Sequence, residues 1–394
     1  MTNKETIRVL QVVDALGMGG AETWLMEVLR VWSKNHAGRM DFLITSGRRG
    51  IFDKEAQQFG ARMHYVPYRR THLPQFAKEF RRLLREGQYD AIHDHQDYAS
   101  GWHFLMGRSL LPRVRVTHVH NPAYQIQNNY GVTLSRRLTA RIGRSLVTRY
   151  ATHITGTSRQ VMTEYGFDAS CKIPQSPLYC GFDTARFVGD PVAAKASVCR
   201  EFGWPLSAKI ILFAGRMDRS ADLGDPQNHK NSGFAVSVGI ECARQDQHAR
   251  MLLAGKPTDP AISILKQRIE RAGCTGFIKF VGVRRDIERL MVASDALLFP
   301  SRGEGLGMVA VEAQAAGLPV LASTAVPREC VVVPQLVRFQ HLDTGASRWA
   351  ADLLELAAQP RSIPRANQRV AASPFAIENS ANALLRLYGE GALT

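Results

Sequence analysis

The chain has 394 residues, 45% hydrophobic and 22% charged, a balance that fits a globular protein and excludes a disordered or fibrous one. At that length two domains of roughly 180 residues each are expected. Six scattered cysteines without a C-x-x-C pair argue against a disulfide framework or a structural zinc, and the net charge of +15 needs a partner or an explanation.

In chain order, Thr6–Asp14 reads as a buried strand, followed by the glycine-rich Gly17–Gly20 and a helix over Ala21–Trp32. Strands are expected at Met40–Thr45, Arg62–Val66, Ala91–His95, Val114–His120 and Thr152–Gly156, and the Gly-, Asp- and Pro-rich Gly181–Pro191 reads as a linker. A second alternating set follows. It has strands at Lys209–Ala214, Arg250–Ala254, Ile278–Val281, Ala296–Phe299 and Leu318–Ala322, with helices at Gly233–Arg244, Ala261–Ala272, Asp286–Ala293 and Leu306–Ala316. A last helix is expected at Pro374–Tyr388. Alternation of this kind predicts an α/β protein with two Rossmann-like domains facing each other across a ligand cleft.

No segment approaches the ~18 apolar residues needed to span a bilayer, and the apolar stretch Ile7–Leu16 is broken by Arg8 and Asp14, unlike a signal peptide. A cytoplasmic protein is expected. Over Leu134–Tyr150, Leu134, Leu138, Ile142 and Leu146 recur every four residues with Arg136, Arg137, Arg141, Arg144 and Arg149 between them. That pattern is a basic amphipathic helix, which either docks on anionic lipid headgroups at the membrane face or packs on its own domain with a solvated basic side. No motif supports nucleic-acid binding.

The segment Phe299 to Ala313 carries the most chemistry. A strand ends at Pro300, a glycine-flanked loop holds Glu304, and a helix opens near Gly307 with Glu312 inside it. Free amides and the macrodipole at a helix start favour an anion such as a diphosphate. Glu304 and Glu312 then straddle that anion, one towards a sugar and one towards a nucleoside; the bland alternative is a solvent-facing loop glutamate and a helix-surface glutamate.

Glu304 and Glu312 form an E-x7-E pair within the wording E-G-L-G, and this resembles retaining glycosyltransferase family 4, a GT-B fold, especially its bacterial exopolysaccharide and capsule enzymes. Further segments resemble the family in the same order: Gly19-Gly20-Ala21-Glu22, Tyr89 to His93, His118-Val119-His120-Asn121, and Gly282 to Asp286 with Arg284. The resemblance implies acceptor recognition by residues 1–185, nucleotide-sugar binding by 186–372, and a helix in 373–394 packing back on the first domain. It implies that Glu304 binds sugar hydroxyls and Glu312 the ribose. Gly305, Leu306, Gly307 and Met308, with Arg284, would complete the donor site, and Arg216 and Lys230 would neutralise the leaving diphosphate in place of a metal ion. His120 would contact the sugar or the attacking hydroxyl, while Gly19, Gly20 and Glu22 would form an acceptor-side loop. No cofactor or metal is implied, and the chain has no D-x-D motif. The expected reaction moves a hexose-type sugar, with UDP preferred over GDP, to a glycan or lipid-linked acceptor, with interdomain closure about the linker excluding water.

Alternatives remain. Gly17-Met18-Gly19-Gly20 suggests a nicotinamide site, but Glu22 occupies the third glycine position and Thr45-Ser46 stand where an acidic ribose ligand belongs. His93, His95, His118 and His120 could hold a metal, since H-x-H on a strand puts both rings on one face. An epimerase or phosphorylase of the same fold, or a non-catalytic binding protein, would share the architecture. The loop between Arg216 and Lys230 is longer and more polar than is usual in the family.

Overall fold

A computed structural model describes residues 6–122, 125–127, 133–222, 224–225, 228–256 and 258–389. The chain divides into two compact units, Met1–Asp183 with Pro374–Thr394, and Thr184–Ser373.

The first unit contains β1 (Ile7–Val13), β2 (Gly38–Ile44), β3 (Met63–Tyr65), β4 (Ala91–Asp94), β5 (Val114–Val119), β6 (His153–Gly156) and β7 (Gln175–Pro177). They form one parallel sheet in the order β3-β2-β1-β4-β5-β6-β7. Val9, Leu10, Val12, Ile92, Val116 and Ile154 are fully buried, as strands covered by helices on both faces require. The second unit contains β8 (Lys209–Ala214), β9 (Ala249–Ala254), β10 (Ile278–Gly282), β11 (Ala296–Phe299), β12 (Val320–Ser323) and β13 (Val337–Gln340). Its parallel order is β10-β9-β8-β11-β12-β13.

Each sheet reverses its winding direction once, between β1 and β4 and between β8 and β11, and in such sheets the loops leaving the strand C-termini there form the ligand crevice. Gly19, His95 and His120 follow β1, β4 and β5. Arg216 and Glu304 follow β8 and β11.

The C-terminal helix Ile377–Gly389 belongs to the first unit and lies on the helix Gly20–Asn35. Trp24 Nε1 donates to Ser380 Oγ at 2.8 Å, and the Trp32 and Tyr388 rings meet edge-on at 6.1 Å.

Several expectations need correction. The stretch expected as a linker is structured: Phe182 bridges to Ala376, Thr184–Phe187 is a 3-10 turn, and a helix Pro191–Phe202 starts at its end. Asp190 caps Val192 N at 2.9 Å and Pro191 sits in the first turn, a start signal that the Asp-Pro composition concealed. The helix Leu134–Tyr150 forms, but it buries Ala140, Gly143 and Val147. A side chain on Gly101 would come 2.3 Å from Gly143 O, so small residues set this close crossing. The Leu134, Leu138 and Ile142 stripe faces solvent at 85%, 57% and 39% exposure.

Candidate active site

In the second unit, β8 delivers Gly215 and Arg216, and β11 delivers the loop that carries Glu304. A β-carbon on Gly255 would lie 1.8 Å from Gly215 O, so glycine is required where the loops after β8 and β9 meet. Asp218 is buried and holds the next segment in place. It accepts from Lys230 N at 3.0 Å, Ser232 N at 2.6 Å and Ser232 Oγ at 3.0 Å. Asn231 takes a left-handed conformation (φ 58°) and donates through Nδ2 to Pro300 O, tying this segment to the end of β11.

These ties bring Lys230 and Glu304 together. Lys230 Nζ lies 2.6 Å from Glu304 Oε1, the same oxygen accepts from Ser301 Oγ at 2.6 Å, and the ammonium stands 5.8 Å above the Phe299 ring. Arg216 is exposed and has no hydrogen-bond or ion-pair partner among the described residues. Its charge reaches the same group: burial lowers the His229 pKa, Arg216 and Lys230 lower it further, and Asp218 and Glu304 oppose them.

The helix Met308–Ala315 opens at Gly307, whose φ of 93° and packing against Phe299 and Val326 favour glycine. No side chain caps this end, so amides of the first turn are left for an anion. Leu306 is buried beneath the loop. Burial pushes the half-buried Glu312 carboxyl up to about 7, with Glu288 adding to the rise and Arg186 and Lys230 opposing it. The cluster thus offers two carboxylates, two cations and a helix start, which suits a sugar, a diphosphate and a ribose.

Arg284 makes no hydrogen bond or ion pair with this group among the described residues. Its guanidinium is held by Asp286 at 2.8 Å and Glu201 at 2.8 Å, with Arg289 bridging the same two carboxylates, so it serves an ion-pair network that fixes the helix Ile287–Ala293. Asp218 and Ser301 escaped the sequence reading. For Ser301 the S-x-x-E spacing to Glu304 was a usable signal; for Asp218 none was available.

In the first unit, Gly19 and Gly20 are exposed at the start of the helix Gly20–Asn35. The Glu22 carboxylate lies against Gly19, where a β-carbon would meet its Oε2 at 2.1 Å. Burial raises the Glu22 pKa, its own backbone amide opposes, and Asp14 adds to the rise. Gln11 on β1 pairs in register with His93 on β4, and alternation places His95, His118 and His120 on the same sheet face. The rings stack, His93 on His95 at 4.3 Å and His118 on His120 at 4.0 Å between centroids. Burial holds His93, His95 and His118 well below the usual histidine range and takes His120 down to about 4. Asp97 Oδ2 accepts from Asn121 Nδ2 at 2.8 Å and Oδ1 from His120 N at 3.4 Å, fixing the turn after β5.

Nitrogens of His93, His95 and His118 lie within 4.8 Å of one another. Hydrogen bonds already engage every ring nitrogen of these three except His118 Nε2, so a metal ion would have to displace them.

Residues 18–186 match the model of Glycosyltransferase Family 4, and residues 208–357 match that of Glycosyl transferases group 1. EpsF of Bacillus subtilis strain 168, named as a glycosyltransferase, is 26% identical over 98% of this chain and 97% of its own. The lipopolysaccharide core biosynthesis mannosyltransferase LpsB of Rhizobium meliloti is 27% identical over 55% of this chain and 61% of its own. Anabaena Alr3699/HepE, solved with UDP and also with UDP and glucose, superposes with TM-scores of 0.76 and 0.74 over 98% of this chain and 100% of that one, at 19% and 18% identity. With one glycosyltransferase family model matching the larger part of each unit and two Rossmann-like parallel sheets of this order, the chain carries a Glycosyltransferase Family 4 domain followed by a Glycosyl transferases group 1 domain and is a glycosyltransferase of the GT-B fold.

Proposed function

We propose that this glycosyltransferase moves a hexose-type sugar from a UDP-sugar, with retention of anomeric configuration and without a metal ion, to a glycan or lipid-linked acceptor of a surface polysaccharide. The observation that carries the reading is the cluster of Glu304, Lys230, Arg216 and Glu312 around the uncapped start of the helix Met308–Ala315. Amides of Leu306, Gly307 and Met308 would hold the diphosphate, and Glu312 would accept from the ribose hydroxyls. Lys230 and Arg216 would stabilise the charge that grows on the leaving phosphate, the task a divalent cation performs elsewhere. Before the donor arrives, Lys230 neutralises Glu304. Sugar hydroxyls can then take over the carboxylate while the ammonium turns to phosphate. His120, neutral at physiological pH, would contact the sugar or the incoming hydroxyl, and the Gly19–Gly20 loop would meet the acceptor. A neighbour solved with UDP and glucose, and relatives named for polysaccharide work, support the donor and the setting.

The second part of the proposal concerns the setting. The exposed Leu134, Leu138 and Ile142 lie among exposed Arg136, Arg137 and Arg141, a composition suited to the anionic inner face of the cell membrane. Arg144 contributes less, since it donates to Gly166 O and stacks over Phe167.

Product analysis tests the reading. Incubation with UDP-glucose or UDP-galactose and candidate acceptors in EDTA should give a glycoside with the anomeric configuration of the donor sugar, and Arg216→Ala should abolish it. An inverted anomer, a requirement for added metal, or an unchanged rate in Arg216→Ala would overturn it.

A further inference from the structure

Four histidines of the first unit, His93, His95, His118 and His120, are joined to a fifth and a sixth residue that no motif marks. Gln11, fully buried on β1, donates through Nε2 to the Tyr388 hydroxyl at 3.1 Å and accepts through Oε1 from His95 Nε2 at 2.9 Å. His95 Nδ1 lies 2.8 Å from His120 Nε2. On the other arm, the Tyr388 hydroxyl lies 2.6 Å from His93 Nδ1, and His93 Nε2 lies 3.2 Å from His118 Nδ1.

With every imidazole neutral, each ring has one N–H and one bare nitrogen, so the chain has a direction. Gln11 Oε1 can only accept, and this places a proton on His95 Nε2 and leaves Nδ1 bare. His120 must then donate from Nε2, which leaves its Nδ1 bare. Along the other arm the Tyr388 hydroxyl accepts from the Gln11 amide and donates to His93 Nδ1. His93 in turn donates from Nε2 to His118 Nδ1, and His118 keeps an N–H at the buried, unpartnered Nε2. Turning the Gln11 amide over would reverse every one of these assignments together. An amide cannot relay a proton as an imidazole can, so the chain sets tautomers and does not conduct protons.

We propose that Gln11 and, through it, Tyr388 of the C-terminal helix are positioning residues that hold His120 as its Nε2–H tautomer, leaving Nδ1 to accept a hydrogen bond from a substrate hydroxyl. The consequence for transfer rests on the reading of His120 as a substrate contact; the tautomer itself does not. A hydroxyl that donates to His120 Nδ1 is oriented with its oxygen lone pairs free, and the Nδ1–H tautomer would instead occupy one of those lone pairs. The arrangement also gives the return of the chain's last helix to the first unit a chemical role, because the Tyr388 hydroxyl pairs with the end of the Gln11 amide opposite the one that meets His95.

Long-range proton–nitrogen NMR on histidine-labelled protein reads the tautomer without substrate, and steady-state transfer reads its effect. Wild-type His120 should appear as Nε2–H. Gln11→Leu should shift it to a mixture or to Nδ1–H, lowering kcat roughly tenfold or more with the donor KM within about twofold, because a wrong tautomer impairs the chemical step rather than binding. Tyr388→Phe should move both readouts in the same direction. Gln11→Glu keeps an acceptor facing His95 and should restore the tautomer and most of kcat. A wild-type Nδ1–H tautomer, or a tautomer unmoved by Gln11→Leu, overturns the proposal. A tautomer that moves while kcat stays level overturns the positioning role. Absence of any transfer by the wild type would count against the proposed function and is distinguishable, since the NMR assignment is made on the free protein.

Discussion

At the scale of single residues, Glu312 has the most readable chemistry. Its carboxyl is pushed up to about 7 by burial, so near neutral pH the free protein holds it partly protonated. A ribose diol donates hydrogen bonds and needs the carboxylate. Because the folded pKa is raised, the protonated form stabilises the free protein at low pH, and that contribution fades as pH rises through about 7. Binding has the opposite sense: UDP affinity should gain about tenfold between pH 6 and 8, over and above the change from phosphate ionisation. Calorimetric titration of the wild type and Glu312→Gln measures the difference. Equal pH slopes in the two would contradict the assignment. The residue scale also shows where motif reading stops. Glu304, Glu312 and the H-x-H segment could be proposed from sequence because their spacing is local. Asp218 could not, because its role of accepting from Lys230 N and Ser232 N exists only once a loop has closed around it. Arg284 was placed at the donor site from its neighbours in sequence, and motif reading did not report the two carboxylates, Glu201 and Asp286, that hold its guanidinium.

At the scale of elements, Arg361 ties two helix ends. Its guanidinium donates to Met291 O, Val292 O and Ser294 O around the end of the helix Ile287–Ala293, and to Ala316 O and Gly317 O after the helix Met308–Ala315. A cation at that end complements the macrodipole whose opposite end faces the proposed diphosphate. Burial lowers its pKa to about 10, with Asp295 opposing, so it stays charged at neutral pH. Arg361→Met should cost about 3 kcal/mol of stability, because buried carbonyls lose a charged partner. Urea unfolding followed by fluorescence measures this, and a loss below about 0.5 kcal/mol would show that water or the backbone replaces the guanidinium. Strands were the most legible elements: Lys209–Ala214 and Ala296–Phe299 begin and end where their apolar runs do. The helices Gly345–Ala357 and Ile363–Ala371 were not read, lying in a stretch where no chemical motif drew attention. The Leu134 stripe was legible as a helix, but its direction was not. Glycines at the Gly101–Gly143 crossing, rather than the leucines, decide which face packs.

At the scale of the whole molecule, the first unit carries an acid liability. His93, His95 and His118 are held well below the usual range and His120 near 4, so unfolding lets four imidazoles take up protons. Their folded pKa values are depressed, so the stability they confer is present above about 6.5 and is lost as pH falls. Each contributes a slope of about 1.4 kcal/mol per pH unit in that window. Asp97, raised to about 6 by burial, works in the opposite sense and offsets part of it. Scanning calorimetry should therefore show the transition of the first unit falling steeply from pH 6.5 to 5, while that of the second changes less. Coincident transitions that ignore pH would contradict the buried neutral cluster. The parallel-sheet architecture of both units was legible from alternation alone, whereas the bond from Gln11 to Tyr388 spans 377 residues and no periodicity reports it.

The proposed donor site makes the second unit a binder of a nucleoside diphosphate through two cations, two glutamates and a helix start. Thermal unfolding of the wild type, Arg216→Ala and Glu312→Ala with UDP, GDP or ADP, each with and without EDTA, tests it most directly. UDP at 100 times its dissociation constant should add about 2.7 kcal/mol, visible as a raised midpoint that is indifferent to EDTA and diminished in both variants. A midpoint unmoved by all three nucleotides, or a shift that EDTA removes or that both variants keep in full, would contradict it.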